Sequence, residues 1–243
     1  MSARDEILQR VRNALRDVPQ HEQPADIVVE RAYRATDDAP HEQLIEQFVE
    51  RVTEYKATVR RVASSALPAA IAESCAARGV RRLLVPRDLP AEWLPADVEP
   101  VLDHNLSYAE IDSSDGVLTG CALGIAQTGT IVLDGGPRQG RRVLTLLPDY
   151  HLCVVFEDQI VGLVPEAVAR LDDAVREQHR ALTWISGPSA TSDIELNRVE
   201  GVHGPRTLEV IVVVEEQENQ GTKEQSSTEN SPSPIAMGEG AGG

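Results

Sequence analysis

The sequence predicts an α/β domain in which a parallel sheet is covered by helices. Strand-like and helix-like segments alternate along residues 40–102, as they do in parallel sheets with crossover helices. The chain has 243 residues, which suits one such domain with appendages. Hydrophobic residues make up 41% of it, which is enough for a buried core.

Residues 1–39 are predicted to form a helix and a linker. Between Ser2 and Asp17, apolar residues recur at helical spacing and define one face: Ile7, Leu8, Val11, Ala14 and Leu15. The segment Pro19–Ala39 is polar and contains prolines, as linkers do. The helix contacts either a partner or its own domain, and we prefer the second interpretation.

The α/β domain is predicted over residues 40–215. Its helices are recognised by apolar stripes, and its strands by short apolar runs that end at Gly or Pro. Cys75 lies on the apolar side of the second helix, so we expect it in the core. The predicted first half consists of a helix over Pro40–Tyr55, a strand over Thr58–Val62, a helix over Leu67–Arg78, and strands over Arg82–Val85 and Val98–Leu102.

The second half is predicted to contain more strands than helices. A helix is predicted from Pro165 to about Gln178, and a loop or short helix over Ser189–Glu195. Beyond Glu215 the chain is polar, so the acidic segment 216–243 is predicted to be disordered. The predicted strands are Gly116–Gly120, Gly129–Leu133, Val143–Leu147, Leu152–Phe156, Ile160–Val164, Leu182–Ile185 and Leu208–Val214.

The net charge limits the kinds of partner. With 39 acidic and 23 basic side chains, the chain carries −16, which argues against nucleic acid and against anionic membranes. No secretory signal and no run of 18 apolar residues is present, so we expect a cytoplasmic protein. Only two lysines occur, Lys56 and Lys223. This acidic, lysine-poor composition fits either a halophile or codon bias in a GC-rich genome.

The cysteines and histidines predict no metal site. Cys75, Cys121 and Cys153 form no Cys-x-x-Cys pair, and the six histidines show no ligand spacing. No cofactor is therefore predicted to bind this chain. Cys121 could act as a nucleophile only with a basic neighbour that lowers its pKa, and the sequence predicts none.

The first segment that could carry chemistry is Thr119–Thr130, which lies between two predicted strands. It contains three glycines, and glycines let a ligand approach the backbone while threonine hydroxyls bind carboxylate or phosphate. It is neither a P-loop nor a dinucleotide fingerprint. Alternatively, the glycines allow close packing between strands. The candidate ligand-binding residues here are Thr119, Gly120, Thr128, Gly129 and Thr130.

The second segment, Ser186–Glu195, follows a predicted strand, and ligands of open α/β sheets sit where strands end. A helix that starts near Thr191 would offer free N–H groups to an anion. Alternatively, the hydroxyls only cap that helix. The candidates are Gly187, Ser189, Thr191 and Ser192 for binding, with Asp193 and Glu195 for catalysis.

The third segment, Val199–Arg206, brings an acid, a base and a cation together. Glu200 and His203 could share a proton, and Arg206 could hold a carboxylate with two hydrogen bonds. Alternatively, the segment is a turn built on its glycines and proline, with solvated charges.

Together these motifs resemble the lactate-utilization protein C family, which carries the LUD domain. The resemblance rests on Thr119-Gly120-Cys121, Ile125–Thr130, Leu147-Pro148, Gly187–Glu195 and Gly201–Arg206, within Asp115–Val213. It implies the three-layer α/β/α fold of the glucosamine-phosphate deaminase, ribose-phosphate isomerase and CoA-transferase superfamily. It also implies a role in oxidising lactate to pyruvate beside two partner proteins that carry iron–sulfur clusters. Catalytic residues are not implied.

The leading hypothesis is therefore an accessory component of a lactate oxidation system that binds a small anionic metabolite. Asp193, Glu195, Glu200 and His203 are its candidate proton-handling residues, and Arg206 is its candidate carboxylate clamp. One alternative is an enzyme that acts alone on a sugar phosphate or a CoA-linked molecule. Another is a scaffold that only holds the iron–sulfur proteins.

Overall fold

The computed structural model describes residues 2–19, 23, 28–30, 32–191, 199–201 and 203–215, with side chains of 191, 199 and 200 left out. The tail predicted to be disordered lies outside these residues. The helices are α1 (Ala3–Ala14), α2 (His41–Glu54), α3 (Leu67–Arg78), α4 (Tyr108–Asp112), α5 (Val164–Arg170) and α6 (Asp172–Arg176). The strands are β1 (Thr58–Ala63), β2 (Arg82–Val85), β3 (Glu99–Leu102), β4 (Gly116–Thr119), β5 (Leu123–Ile125), β6 (Thr130–Leu133), β7 (Tyr150–Phe156), β8 (Ile160–Val161), β9 (Thr183–Ile185), β10 (Ala190–Thr191), β11 (Val199–Glu200) and β12 (Thr207–Val214).

A six-stranded parallel sheet forms the centre of the fold. Its strands follow the order β1-β12-β7-β4-β2-β3, so the last long strand lies between the first strand and β7. Val212 pairs with Arg61 on one side and with Val155 on the other. The predicted α/β class with a mostly parallel sheet is thereby confirmed.

Helices and a second sheet cover the two faces of the central sheet. The apolar side of α3 packs on one face, where Ile71 and Cys75 are fully buried, as predicted for Cys75. The stripe of α2 packs on the other face, and Phe48 is its largest buried side chain. Beside α2 lies a four-stranded sheet of order β8-β5-β6-β9, whose other side is covered by α5 through Ala167.

The structure differs from the predicted elements at several places. The predicted strand Val143–Leu147 is a 3₁₀ helix over Arg142–Thr145, which buries Leu144 against residues of α4, β2 and β4. The predicted helix after Pro165 divides into α5 and α6, since Asp172 and Asp173 open a new first turn. The predicted glycine loop contains β5, which pairs with β6 and β8.

The first helix forms as predicted, and the Ser2 hydroxyl caps it by accepting from the Asp5 backbone N–H. It buries none of its residues, and Ile7, Val11 and Leu15 of its apolar face stay exposed. The preferred interpretation, in which α1 packs on its own domain, is therefore wrong for this structure. Within the described residues, no helix is long and apolar enough to cross a lipid bilayer.

Candidate functional site

Two neighbouring cavities share the lining residues Arg142, Thr145 and Thr183, and the first of them lies beside the beginning of β7. The first cavity has a volume of about 250 Å³ and the second about 680 Å³. The first cavity is otherwise lined mainly by His151, Ser186, Gly187, Ser189, His203 and Leu208. It therefore combines side chains from the central sheet with two of the three segments that the sequence singles out.

The first cavity uses the starts of two central strands. His151 is the second residue of β7 and pairs in register with Leu208, the second residue of β12. We expected a site at the carboxyl ends of strands. The loop after β9 meets that expectation, but β9 belongs to the four-stranded sheet and not to the central sheet. On the central sheet, the site lies at the amino-terminal end of β7 and β12. The connections that enter these strands, rather than those that leave them, form it.

Ser189 joins the second and third sequence segments. Its N–H donates to the Pro205 carbonyl at 2.8 Å, and its carbonyl accepts from the Gly201 N–H at 2.9 Å. Its hydroxyl oxygen accepts from the backbone N–H of His203 at 3.0 Å. These three bonds place His203 and the Ser186–Ser189 loop on the same cavity, as the hypothesis of a shared site requires.

Of the loop or short helix predicted over Ser189–Glu195, the alternative of a helix that starts near Thr191 does not form. Thr191 belongs to β10, which pairs antiparallel with β11, so that Ala190 lies opposite Glu200. The ladder uses backbone groups that a helix start would leave free, so no helical anion cradle forms at Thr191. The side chains of Thr191 and Glu200, and the whole of Ser192, Asp193 and Glu195, lie outside what the structure describes.

Two threonine hydroxyls of the first sequence segment, Thr119–Thr130, connect to the loop that begins at Ser186. The Thr130 hydroxyl lies 2.8 Å from the Ser186 hydroxyl and 2.7 Å from that of Thr128. Ser186 lines the first cavity, whereas Thr128 lines a separate cavity beside α2. Thr130 is therefore a residue that positions Ser186, and Thr128 stands further from the site than we expected.

The glycines of this segment lie against other parts of the chain. The Gly120 N–H donates to the Arg138 carbonyl at 2.8 Å, and a Cβ there would lie 3.3 Å from the Arg138 Cβ. Gly129 has φ +56°, and a Cβ on it would meet the backbone of Arg51 and Val52 at 2.6–2.7 Å. These contacts match the alternative interpretation, in which the glycines serve close packing.

A buried threonine holds the histidine that lines the first cavity. Thr119 is fully buried at the end of β4, and its hydroxyl lies 2.8 Å from Nε2 of His151. His151 is 1% exposed and lines the cavity. Thr119 thus holds the ring of His151 and has no surface of its own to offer a ligand. Sequence reasoning missed His151 because it begins an apolar strand.

Cys121 is not an activated nucleophile in this structure. The neighbouring thiol of Cys153 and burial both raise the pKa of Cys121 well above its usual value. Its Sγ donates to Oε1 of Gln159 at 3.7 Å. A thiol must lose its proton to attack, so a raised pKa works against that role. All three cysteines are free and buried.

Arg142 is the charged residue that sequence reasoning missed. Its Nη1 donates to the Thr145 hydroxyl at 2.8 Å, and burial lowers the pKa of its guanidinium. No carboxylate in the described part of the chain pairs with Arg142. The signal was present: Arg138, Arg141 and Arg142 follow a glycine turn in an acidic chain.

Arg206, the predicted clamp, instead pairs with Asp149 at 3.1 Å on the surface, and it lines neither cavity.

The comparisons with known proteins agree with this fold. The family model described as the LUD domain matches residues 45–213, which run from α2 to β12. The chain belongs to the LUD domain family. It is 53% identical to Lactate utilization protein C of Deinococcus radiodurans over 172 residues, which are 70% of this chain and 80% of that protein.

Other members show the same likeness. The chain is 30% identical over 171 residues to Lactate utilization protein C of Geobacillus thermodenitrificans, covering 63% of this chain and 70% of that protein. The crystal structure of a DUF162 family protein from Deinococcus radiodurans at 1.70 Å resolution matches with a TM-score of 0.64 and 45% identity. The match covers 72% of this chain and 99% of that one.

In this LUD domain, two ion pairs shape the second cavity. Arg141 donates from Nε and Nη2 to the two carboxylate oxygens of Asp103, at 2.7 and 2.6 Å. Arg180 Nη1 lies 2.9 Å from Asp134 Oδ2, and Asp134 also accepts from the backbone N–H of Gly136. The described residues contain no cluster of three or more His, Cys, Asp or Glu side chains that could hold a metal ion.

The Asp103–Arg141 pair should make stability depend on pH. The hydrogen bonds from Arg141 hold the pKa of Asp103 below 3.8, its ordinary value. Because the folded pKa is lowered, the contribution to stability is full at neutral pH and is lost as pH falls below about 4. We expect Asp103→Asn to be less stable than the wild type at pH 7, with the gap narrowing towards pH 3. Urea titrations at pH 7 and pH 3 measure the difference in the free energy of unfolding between the two proteins. A difference that stays constant with pH would contradict the lowered pKa of Asp103.

Proposed function

We propose that this LUD-domain protein takes part in lactate utilization and binds a small carboxylate in the first cavity. The name Lactate utilization protein C, which its relatives carry, supports the process. We further propose that it acts as an accessory component, while partner proteins with iron–sulfur clusters carry the electrons.

Arg142 is the observation that supports a carboxylate ligand. It is a guanidinium at the junction of two cavities, and no acidic side chain of the described residues neutralises it. Arginine binds carboxylates with two parallel hydrogen bonds, which are stronger than bonds between neutral groups. Among the described residues that line the first cavity there is no Asp or Glu, so none of these residues repels an anion.

The size and the other side chains of the first cavity fit a small hydroxy or keto acid. Its volume of about 250 Å³ lies just below the roughly 300–1,000 Å³ of sites for drug-sized ligands. The hydroxyls of Ser186 and Ser189 could bind the oxygen on the neighbouring carbon of such an acid. His151, held by Thr119, and His203 are the groups that could accept its proton.

Growth on lactate tests this proposal. A strain that lacks the gene should not grow with lactate as its carbon source. The wild-type gene and Arg81→Ala, an exposed arginine outside both cavities, should restore growth, and Arg142→Ala should not. Normal growth of the deletion strain would refute the role in lactate utilization. Restoration by a folded Arg142→Ala protein would refute the anion site and favour the scaffold alternative.

Ligand binding tests the site directly. At a hundred times its dissociation constant, a ligand stabilises the folded state by about 2.7 kcal/mol, so lactate or pyruvate should raise the melting temperature by several degrees. We expect this shift in the wild type and in Arg81→Ala, and its loss in Arg142→Ala. An equal shift in all three proteins would show that the anion binds elsewhere.

A further inference from the structure

The second cavity is unusual for so acidic a chain. The protein carries −16, yet Arg87, Arg141, Arg142 and Arg180 all line this cavity. Three aspartates, Asp88, Asp103 and Asp134, line it as well. The charges of the lining therefore sum to +1 by the formal count. The individual contacts show which of them remain available to a ligand.

Two of the arginines are committed to the protein. Arg141 binds both carboxylate oxygens of Asp103, and Arg180 binds Asp134. Asp103 and Asp134 are at most 8% exposed in their side chains, so these pairs form the rigid wall of the cavity. The charges of Arg141 and Arg180 are neutralised within the protein and are not available to a ligand.

The other two arginines remain available. Arg87 follows the carboxyl end of β2, and Arg142 begins the 3₁₀ helix that leads towards β7. Neither forms an ion pair with any residue that the structure describes. The remaining acid, Asp88, accepts a hydrogen bond from the backbone N–H of Arg138 at 2.7 Å. This bond anchors the turn formed by residues 135–140.

A turn rich in glycine forms the third side of the cavity. Gly135 and Gly140 both have φ +67°, a conformation that glycine adopts without strain. A Cβ on Gly136 would lie 2.6 Å from Arg180 Nη1 and 2.7 Å from Asp134 Oδ1, so the turn is fixed against that ion pair. A backbone without side chains allows the oxygens of an anion to come close.

We infer that the second cavity binds the phosphoryl group of an organic phosphate. Within the described residues the guanidinium groups of Arg87 and Arg142 have no acidic partner. A phosphate monoester, with −1.5 to −2 charges near pH 7 and three acceptor oxygens, neutralises two such groups, whereas a carboxylate carries one charge. The volume of about 680 Å³ also accommodates a ligand body larger than that of a three-carbon acid. Arg142 lines both cavities, whereas Arg87 lines the second cavity alone, so Arg87 distinguishes this inference from the proposed carboxylate site.

Titration with inorganic pyrophosphate tests the inference on the full chain. In 0.15 M NaCl, which screens weak surface binding, calorimetry should detect one site in the wild type. Arg87→Ala and Arg142→Ala should each weaken the binding roughly tenfold or more, since each removes a charged hydrogen-bond donor. Arg81→Ala, the matched exposed arginine outside the cavity, should bind pyrophosphate like the wild type. Circular dichroism of each variant establishes that it is folded.

The outcomes separate this inference from the proposed function. No binding of pyrophosphate to the wild type would overturn the phosphate site and leave the carboxylate site untouched. Equal affinity in the wild type, Arg87→Ala and Arg142→Ala would place the anion elsewhere and also overturn it. Pyrophosphate binding that weakens in Arg87→Ala, while the melting shift with lactate is kept, would support two distinct subsites joined at Arg142.

Discussion

Glu209→Ala is expected to lower the free energy of unfolding by about 3 kcal/mol, because it removes the centre of a buried polar network. Glu209 lies in β12 and is 4% exposed. It accepts from the Ser74 hydroxyl at 2.6 Å, from Nε of Arg78 at 3.1 Å and from the Tyr150 hydroxyl at 3.0 Å. Without it, two hydroxyls and a half-buried guanidinium lose their acceptor.

Chemical denaturation measures this loss, and a thermal scan should show a melting temperature lower by about 6–12 °C, given 2–4 °C per kcal/mol for a domain of this size. Burial and the neighbouring carboxylate raise the pKa of Tyr150, so its hydroxyl stays a donor at any ordinary pH. The matched control is Glu99→Ala. Its ion pair with Arg82 is exposed and 3.7 Å long, so about 0.5 kcal/mol or less should be lost. Equal losses in the two variants would refute the network's importance.

Gly129→Ala is expected to cost about 3 kcal/mol, although it adds only a methyl group. That methyl would lie 2.6 Å from the carbonyl carbon of Arg51 and 2.7 Å from the backbone nitrogen of Val52. Helix backbone cannot move aside as a side chain can, so α2 or the β5–β6 turn must shift. Overpacking costs roughly 1–3 kcal/mol, and the left-handed backbone of Gly129 adds about 1–2 kcal/mol for any residue with a Cβ.

Gly79→Ala separates these two contributions. Gly79 ends α3 with φ +66°, and a Cβ there would meet nothing within 4 Å. Only the conformational cost of about 1–2 kcal/mol should appear. Urea titrations of both variants give the comparison. If Gly129→Ala were no more destabilising than Gly79→Ala, the contact with α2 would be unimportant, and a ligand role for Gly129 would regain weight.

Local patterns were sufficient to predict the long elements. The stripe of α2 and the end of α3 at Gly79 follow from helical spacing and from one residue's backbone freedom. The strand β12 follows from a run of apolar residues. The family resemblance was also confirmed. These signals lie within a few residues of one another, which is why sequence alone reveals them.

The site was harder to predict because distant parts of the chain build it. Ser186 and Ser189 were found from their own loop, and His203 from its turn. Arg142 and His151 join them only because β9 pairs with β6 and β7 pairs with β12. The pairing of β10 with β11 likewise joins residues eight and ten apart, and it places Thr191 in a strand rather than in the short helix that was one of the two alternatives.

The position of β12 has a consequence for how the protein is made. This strand is inserted between β1 and β7, so a ribosome must synthesise residue 214 before the central sheet can close. Until then β1 has no partner in its own sheet, and α2 lacks the part of the sheet surface that β12 contributes to its packing. Pairing between strands so distant in sequence is slow to form. A nascent chain that stalls before Thr207 therefore exposes the edges of two strands, and it should depend on chaperones more than a chain released after Val214.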